Sequence, residues 1–593
     1  MVLRKIVVAL FFIFLLAVGL FVFRDYGINW DEPVHQWRGQ AFLDYLLRGD
    51  RRLIQHEHER NYGSFPDIIL AAAERMVKQD SRTIYLTRHL LLFLIFYLGA
   101  WFFYRLGLKI FGRWEVALLG ATMLVLTPRI FAHSFYNPKD IPLMVAVVAA
   151  FYTLLRFLEK PGIPRLAGHA LACAVATDVR LTGMVTFFLT GAAFLFLLWD
   201  ARQKSRRALE ILGLAAAFTA FYVFLVILLW PYLWEDPIGR MSGVFYFITH
   251  VPWKGHQLYL GEYYACGETP WHYIPVWVGI STPLLYLGLF LIGSAALIGD
   301  LLAQETRSSA GASRFPKVWG PLVLLWFFAP VLGSIALGVC TFNEFRHLFF
   351  IYPALILMGL RGLVAIFKLT DRFNDKFASA VMKLILGAVI MAEMGRVAFF
   401  MVKYHPHENV YFNRLAGRDM ASIARKFEMD YWGLSYKQGL EYILRLDASE
   451  VIPVSVDFRP GQFNVRILPA KERNRLTPFL PIWVYLNLNR KLIRFAEANP
   501  SKYFINRRFK YLVIRSRMTA EEKEELRRIC RSPQEREAIE RAYRDSQRLA
   551  PAKYFLTNYS LYPGEFPLEK IHAIKVGNAS ILGIYRLQLD EDP

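Results

Sequence analysis

The sequence predicts a polytopic α-helical membrane protein with about eleven transmembrane helices, followed by a C-terminal α+β domain. Three observations support this fold class. Apolar runs of about 20 residues recur over the first two thirds of the chain, 55% of all residues are hydrophobic, and 16% are aromatic. A run of this length is enough to cross the hydrocarbon core as a helix. These features exclude a water-soluble enzyme.

The apolar segments define the predicted spans. They fall near residues 6–23, 84–104, 114–127, 141–158, 166–181, 183–199, 209–230, 274–299, 318–339, 348–367 and 379–401. The first segment is longer than the apolar core of a typical signal peptide, and no small-residue cleavage site follows it. We therefore expect it to be retained as a helix.

Basic clusters predict the orientation. The connections RLGLKIFGR, EKPGIPR, DARQKSRR, SRFPK and KLTDRFNDK alternate with less basic ones, and Arg4 and Lys5 precede the first span. Because cytoplasmic loops are enriched in Lys and Arg, we expect these connections and the N-terminus to be cytoplasmic. The loops 24–82, 128–140 and 231–273 then lie on the external face of the membrane. Contact with anionic membrane lipids explains the net charge of +21, and no nucleic-acid motif is present.

The chain is expected to divide into a membrane domain, residues 1–402, and a soluble extracytoplasmic domain, residues 403–593. The second domain contains strand-like runs such as VIPVSVDF, KYLVIRS and SILGIYRL, and a charged helical stretch from Thr519 to Leu549. Within that stretch Ser532 is the predicted N-cap, Pro533 the first helical residue and Glu535 the capping-box partner. This mixture predicts a small α+β domain.

Two adjacent acids, Asp31 and Glu32, follow the first span in the stretch NWDEP. Desolvated carboxylates are costly unless they are paired or used, and a general base needs a carboxylate oriented by a second polar group. Asp31 and Glu32 are therefore candidate catalytic residues. The alternative is that Asp31 only caps a helix that runs to Leu47 and ends at Gly49.

The first loop also contains the sequence HEHERNYGSFPD. His56, His58 and Glu59 are candidate ligands for a divalent metal ion, although an exposed, self-paired stretch is the alternative reading. No cofactor is predicted with certainty. The four cysteines show no metal-ligand spacing, and Cys266 and Cys530 are the pair considered for a single disulfide.

Cationic side chains lie near the external ends of several spans. Lys139 precedes Asp140 at the start of a predicted helix, where a phosphate can bind, and the alternative is that Asp140 only caps this helix. Arg180 follows Asp178 inside an apolar hairpin, and their mutual ion pair is the alternative to a functional role. Arg346 lies at the outer end of a span and can bind a phosphate through two N–H groups, whereas snorkelling to the interface is the alternative.

Several motifs resemble a known family. They are YGINWDEP, NYGSFPD, NPKDIP, RLTG, STPLLYLGLFLIG, FRHLFFIYP, HPHENVYFNRLAG and FEMDYWGLSYKQGLEYI. The chain resembles the GT-C class of polyprenyl-phosphate-dependent membrane glycosyltransferases, in particular the protein O-mannosyltransferase and aminoarabinose transferase group, glycosyltransferase family 39. The resemblance extends to about residue 445, and the acid pair after the first helix is its most specific element.

The resemblance implies a function. It implies transfer of a monosaccharide from a polyprenyl-phosphate-linked donor to a hydroxyl acceptor on the periplasmic face of a bacterial plasma (inner) membrane, with inversion. It also implies that the extracytoplasmic domain is periplasmic. The acceptor is a lipid, a glycan or a protein. By this analogy Asp31 is the general base, Glu32 assists it, and Asp140 is a second active-site acid. Lys139, Arg180 and Arg346 are the expected ligands of the donor phosphate.

Arg60 is a further candidate phosphate ligand, since it lies where aminoarabinose transferases have a Lys-Pro pair. Tyr62, Asn137 and His347 are the expected contacts of the donor or acceptor. The alternative function is a transporter or flippase of an anionic polyprenyl-linked sugar or lipid, which would use intramembrane charges in a similar way. That alternative predicts an inverted repeat and broken helices at the midplane, and the sequence shows neither.

Overall fold

The computed structural model of the protein describes residues 2–201, 205–250, 255–306, 315–341, 343–372, 375–506, 510–530, 532–549, 551–559, 566 and 568–587. The chain divides into two compact units. Unit 1 comprises Met1–Asp25, Glu32–Gln79 and Leu86–Arg418, and unit 2 comprises Tyr26–Asp31, Asp80–Tyr85 and Asp419–Pro593. Parts of the basic connections at 202–204, 307–314 and 373–374 lie outside the described residues.

Helices account for most of the chain up to residue 404. They are α1 (Val2–Val22), α2 (Glu32–Arg48), α3 (Arg52–Gln55), α4 (Asp67–Arg75), α5 (Ser81–Phe111), α6 (Trp114–Val125), α7 (Pro128–Tyr136), α8 (Asp140–Glu159), α9 (Ile163–Val179), α10 (Val185–Ala201), α11 (Ser205–Leu229), α12 (Pro237–Thr249), α13 (Tyr273–Ser281), α14 (Leu284–Thr306), α15 (Phe315–Ala336), α16 (Tyr352–Thr370) and α17 (Lys376–Tyr404). Short 3-10 helices cover Glu59–Asn61, Leu181–Met184, Pro231–Leu233, Arg346–Ile351 and Glu408–Val410.

The predicted apolar segments are all helical. In the described part of the chain, nine helices are long and apolar enough to cross a membrane, and the pair α6 and α7, bent by 67°, raises the number to as many as ten. Ten is still one below the predicted eleven, because α9, at the fifth predicted segment, is only 17 residues long. The prediction of a multi-pass helical membrane protein is confirmed.

Two spans form the centre of unit 1. In α8, and in the span from Arg346 through α16, 78% of the most apolar window is buried within the protein, compared with 17% in α1. A helix that is apolar on all sides and surrounded by protein belongs to the core of a bundle. The N-terminal ends of these two central spans carry Asp140 and Arg346.

A disulfide lies in the connections of unit 1. The strands β1 (His256–Tyr259) and β2 (Glu262–Ala265) form an antiparallel hairpin. Cys266, directly after this hairpin, is bonded to Cys340, with 5.2 Å between the Cα atoms. The pairing of Cys266 with Cys530 that the sequence suggested is therefore wrong, since Cys530 is a buried free cysteine in unit 2. Cysteine count alone does not reveal connectivity, because partners are brought together by the fold.

Unit 2 contains eight strands in two sheets among its described residues. The strands are β3 (Ile452–Val456), β4 (Leu476–Phe479), β5 (Ile482–Tyr485), β6 (Tyr503–Asn506), β7 (Tyr511–Ile514), β8 (Tyr554–Thr557), β9 (Glu569–Val576) and β10 (Ala579–Arg586). A five-stranded mixed sheet has the order β4-β3-β8-β10-β9, and a three-stranded antiparallel sheet has the order β5-β7-β6. The predicted α+β character is confirmed.

Helices cover the sheets of unit 2. They are α18 (Met420–Ala424), α19 (Tyr436–Leu446), α20 (Arg459–Phe463), α21 (Ala470–Arg473), α22 (Arg490–Ala498), α23 (Ala520–Ile529) and α24 (Pro533–Ser546), with a 3-10 helix at Asn464–Ile467. The apolar face of α19 is buried in the core of the five-stranded sheet. Ser532 and Glu535 form the predicted capping box at the start of α24.

Candidate active site

Three cationic or polar side chains converge on the Asp140 carboxylate. Arg180 Nη1 lies 2.5 Å from Asp140 Oδ1, and Arg346 Nη1 lies 3.2 Å from Asp140 Oδ2. Asn137 Nδ2 donates a hydrogen bond of 2.9 Å to Oδ2. Asp140 is 1% exposed, whereas the Arg180 side chain is 19% exposed. The carboxylate therefore fixes two guanidinium groups, one of which is open to solvent.

The turn before α8 is built by Asn137. Its Oδ1 accepts hydrogen bonds from the backbone N–H of Lys139, at 3.1 Å, and of Asp140, at 2.9 Å. The helix begins at Asp140, with Lys139 as its N-cap residue. The alternative role of Asp140 as an N-cap is therefore wrong, because the Asn137 amide takes that function. The Asp140 side chain is left to bind the two arginines.

A third cation lies against an aromatic ring. Lys139 Nζ is 3.2 Å from the ring centroid of Tyr62, and the Arg38 guanidinium carbon is 5.0 Å from the same centroid. Cations over an aromatic face are attracted by the ring quadrupole. Burial, together with the nearby Arg38 and Arg180, lowers the pKa of Lys139 well below its usual value. An anion bound here would oppose that effect.

Arg38 is held by two acids of unit 1. Its Nη2 lies 2.6 Å from Asp67 Oδ2, its Nη1 lies 2.8 Å from Glu59 Oε2, and His35 Nδ1 lies 3.1 Å from Asp67. Burial raises the pKa of the Asp67 carboxyl, but Arg38 and His35 outweigh burial and hold it well below its usual range. Asp67 therefore stays ionised and orients Arg38 beneath Tyr62.

Asp178 has a different partner from the one considered in the sequence. Its carboxylate accepts hydrogen bonds from the backbone N–H groups of Ser64, at 3.1 Å, and Phe65, at 2.8 Å. A Cβ atom on Gly63 would lie 1.5 Å from the Asp178 carbonyl oxygen, so only glycine permits this close approach. The first loop is thus fixed to the end of α9, and Arg180 is available to Asp140.

The adjacent acids of the WDEP stretch lie in different units. Asp31 is partly buried and closes the segment Tyr26–Asp31 of unit 2, and its backbone N–H donates to Asn29 Oδ1 at 2.7 Å. Glu32 is the first residue of α2 in unit 1, is fully buried, and lies 3.1 Å from His89 Nε2. The burial of Glu32 favours a structural role over direct contact with a substrate.

The segment before Asp31 is held firmly in unit 2. Ile28 exchanges two hydrogen bonds of 2.9 Å with the Asn464 side chain, and the rings of Trp30 and Phe458 lie 4.4 Å apart. Gly27 has no room for a Cβ atom, which would lie 2.6 Å from the carbonyl oxygen of Leu434. Asp31 therefore follows a backbone with little freedom to move.

The sequence did not single out Arg129, which forms a buried ion pair with Glu344 near Arg346. Arg129 Nε also donates to the Tyr411 carbonyl at 3.1 Å. Burial raises the pKa of Glu344 to about 7, and the neighbouring Arg129 opposes that rise. The signal that could have found Arg129 is an arginine within the stretch TPRIFAHSFYNPKD, which also contains Lys139 and Asp140.

Some candidate residues are not brought to this cluster. Arg60 donates to the Ile54 carbonyl at 3.4 Å and lies over the Tyr232 ring, 5.9 Å from its centroid. The ring of His56 packs against Trp37, that of His58 packs against Phe247, and Glu59 pairs with Arg38. The described residues contain no group of three His, Cys, Asp or Glu side chains placed to hold a metal ion, so the suggested ligand set is not formed.

The structure groups most of the other candidates together. Asn137, Lys139, Asp140, Arg180 and Arg346 form one cluster by direct contact or through electrostatic interaction. Tyr62 joins it through Lys139, and His347 interacts electrostatically with Arg180, Arg346 and Asp140. Three cations around one buried acid at the ends of central helices can bind a phosphate.

The chain matches one protein family and is similar to several solved structures. Residues 70–230 match the model of the family described as dolichyl-phosphate-mannose-protein mannosyltransferase. Over residues 70–230, this match confirms the resemblance to GT-C glycosyltransferases. The matched range contains Lys139, Asp140 and Arg180. No curated protein matches the chain.

Three solved structures align with nearly all of this chain at 12% sequence identity. ArnT from Cupriavidus metallidurans in the apo state is 12% identical, with a TM-score of 0.46 and 98% of each chain covered. The same protein bound to undecaprenyl phosphate is 12% identical, with a TM-score of 0.46 and 97% of each chain covered. The arabinofuranosyltransferase AftD from Mycobacteria is 12% identical, with a TM-score of 0.40, covering 98% of this chain and 40% of that one.

Proposed function

We propose that the protein transfers a monosaccharide from a polyprenyl-phosphate-linked donor to the hydroxyl group of a lipid, glycan or protein acceptor, with inversion at the anomeric carbon. One observation carries this proposal: Arg180 and Arg346 converge on Asp140, with Lys139 beside them, at the N-terminal ends of the central helices. Such a cluster suits the phosphate of a donor whose polyprenyl chain lies in the membrane. The family match over residues 70–230 supports sugar transfer.

The cations would act on the leaving group. As the bond between the anomeric carbon and the phosphate oxygen breaks, the electron pair stays with the phosphate and its negative charge increases. Fixed cations lower a barrier most where charge develops in the transition state. Asp140 orients Arg180 and Arg346 in advance, so little reorganisation is required when the phosphate binds. A bound phosphate opposes the lowering of the Lys139 pKa, so in the complex Lys139 adds a third positive charge, and its ammonium is positioned by Tyr62.

Asp31 would act as the general base. Its carboxylate takes the proton of the acceptor hydroxyl while the hydroxyl oxygen attacks the anomeric carbon from the face opposite the phosphate. A single displacement of this kind inverts the configuration. The partly buried Asp31 follows a segment fixed by Asn464, which suits a base that must hold its position. Glu32 would support the backbone at the start of α2 through its contact with His89.

The proposed location is a bacterial inner membrane, with the cluster and unit 2 on the periplasmic side. The basic connections at 105–113 and 159–165 follow the opposite ends of the spans from the Asp140 cluster. The disulfide between Cys266 and Cys340 supports the same orientation, because disulfides persist in the periplasm and are rare in the cytoplasm.

Binding of undecaprenyl phosphate to the purified protein tests the proposed phosphate site. We expect Arg346→Ala to weaken binding by roughly tenfold or more, since charge-assisted hydrogen bonds contribute about 1.5–3 kcal/mol each. Arg361→Ala is the matched control: Arg361 lies on α16, where it pairs with Asp300 at 2.7 Å, and has no contact with Asp140 among the described residues. Equal affinity of the wild-type protein and Arg346→Ala would show that Arg346 does not bind the phosphate.

A further inference from the structure

The backbone before Arg346 is held in an unusual conformation. Asn343 and Glu344 are consecutive non-glycine residues with φ angles of 55° and 71°. Residues with side chains seldom adopt this left-handed region, and they keep it only where the surrounding structure imposes it. The 3-10 helix that follows begins at Arg346 and leads directly into α16. The left-handed pair Asn343 and Glu344 therefore determines where the 3-10 helix begins, and with it the position of Arg346.

Three contacts fix this segment from outside. Cys340 is bonded to Cys266, and Gln257 Nε2 donates a 2.8 Å hydrogen bond to the Thr341 carbonyl. Tyr273 in turn donates a 2.6 Å hydrogen bond to Gln257 Oε1. The hairpin β1–β2 is thereby attached to the segment at two successive residues.

The third contact is the ion pair of Glu344 with Arg129. The Glu344 side chain is fully buried and that of Arg129 is 2% exposed. Arg129 is itself fixed, because its Nε donates to Tyr411 and its guanidinium carbon lies 4.7 Å from the ring centroid of Phe412. We call the Arg129–Glu344 pair and the Cys266–Cys340 disulfide the brace.

Stability alone does not account for the ion pair of the brace. Removing two charges from water costs several kcal/mol, and apolar residues of similar volume are often as stabilising as a buried pair. An ion pair differs from an apolar contact in its fixed direction, because the carboxylate must face the guanidinium. Glu344 can therefore hold its own left-handed backbone, and with it the start of the next helix, in one position.

We infer that the brace positions Arg346 for the phosphate of the donor, an inference that rests on the proposed function. Arg346 touches Asp140 at 3.2 Å, and its placement depends on the segment that Glu344 and Cys340 secure. Glu344, Arg129, Cys266 and Cys340 are positioning residues. They act through Arg346 and do not contact the phosphate.

The test measures undecaprenyl phosphate affinity and thermal stability of the same purified variants. In Arg129→Met with Glu344→Met, no unpaired charge is left buried, so we expect the apparent Tm to stay near that of the wild-type protein. We expect affinity to fall about tenfold, the effect of losing one well-placed charged hydrogen bond. Cys340→Ser should lower affinity in the same direction, and combining it with the double variant should add little because both act on one segment.

The matched control is Asp300→Met with Arg361→Met, which removes an Arg–acid pair from α14 and α16 outside the Asp140 cluster. Its affinity should equal that of the wild-type protein. If the Arg129→Met, Glu344→Met variant binds undecaprenyl phosphate as tightly as the wild-type protein, the inference about the brace is wrong and the proposed function still stands. A wild-type protein that does not bind undecaprenyl phosphate would overturn the proposed function, and the brace with it.

Discussion

Asp140→Asn is the substitution with the clearest physical consequences. It keeps the size of the side chain but removes the negative charge that faces Arg180 at 2.5 Å and Arg346 at 3.2 Å. Removing one partner of a buried ion pair costs ~3–5 kcal/mol, because the other charge remains buried and uncompensated. The Arg180 side chain is 19% exposed and keeps some hydration, so we expect the lower end, about 3 kcal/mol.

The loss should be reversed by an added anion. Undecaprenyl phosphate at about one hundred times its dissociation constant stabilises a protein by ~2.7 kcal/mol, close to the expected loss. In the wild-type protein the phosphate must share Arg180 and Arg346 with the Asp140 carboxylate, whereas in the variant it replaces that carboxylate. At one ligand concentration for both proteins, the ligand should therefore raise the apparent Tm of the variant by more than that of the wild-type protein, because loss of the competing carboxylate outweighs loss of its orienting effect on the arginines.

Intrinsic tryptophan fluorescence during heating, with and without undecaprenyl phosphate, measures both effects. Without ligand we expect the apparent Tm of Asp140→Asn to be lower by roughly 2–4 °C, since the entropy of unfolding, and with it the free-energy change per degree, grows with chain length. The control Asp300→Asn breaks an ion pair whose acid is 48% exposed and should shift the apparent Tm by no more than about 1 °C. An unchanged Tm for Asp140→Asn, or equal ligand-induced shifts in the two proteins, would refute this reasoning.

Two further predictions concern connections between the helices of unit 1. Burial lowers the pKa of His405, but its hydrogen bonds to Asp25 and Glu408 outweigh burial and raise the pKa to about 9. Protonated His405 should therefore contribute up to ~3 kcal/mol to the free energy of unfolding below pH 6.5, and this contribution should be lost as the pH rises through 9. Thermal melts from pH 6 to 10 should show this decline, and His405→Gln should flatten it. Mass spectrometry after alkylation should find Cys266 and Cys340 modified only after reduction, and alkylation without reductant would contradict the disulfide.

The helices were predictable from the sequence because each is encoded locally. An apolar run near 20 residues determines a span whatever its neighbours are, and each of the eleven segments is helical. The capping box of Ser532 and Glu535 also depends only on residues three positions apart. The number of spans was less certain, since α9 has only 17 residues and α6 and α7 are bent.

The partners of the charged residues could not be predicted in the same way. Asp178 and Arg180 are two residues apart, yet Asp178 binds the backbone of Ser64 and Phe65 while Arg180 pairs with Asp140. These contacts join positions separated by 113 or 114 residues for Asp178 and by 40 for Arg180. Only the packing of the helices brings them together.

The candidate site was therefore predicted in composition but not in arrangement. Lys139 and Asp140 were identified at the start of a predicted helix, Arg180 as a charge inside an apolar hairpin, and Arg346 at the outer end of a span. Arg60 was expected among them and lies instead against Tyr232. Its motif indicated the correct loop but not the direction in which the side chain points.

The central claim is that Asp31 activates an acceptor hydroxyl for transfer from a polyprenyl-phosphate sugar. The most direct measurement follows release of polyprenyl phosphate and appearance of glycosylated acceptor, using purified wild-type protein and Asp31→Asn with radiolabelled undecaprenyl-phosphate sugars and an envelope extract as the acceptor source. We predict transfer by the wild-type protein, and loss of at least about 100-fold in Asp31→Asn with undiminished binding of undecaprenyl phosphate. Full turnover by Asp31→Asn, or movement of the donor lipid across the membrane without sugar release, would contradict the account.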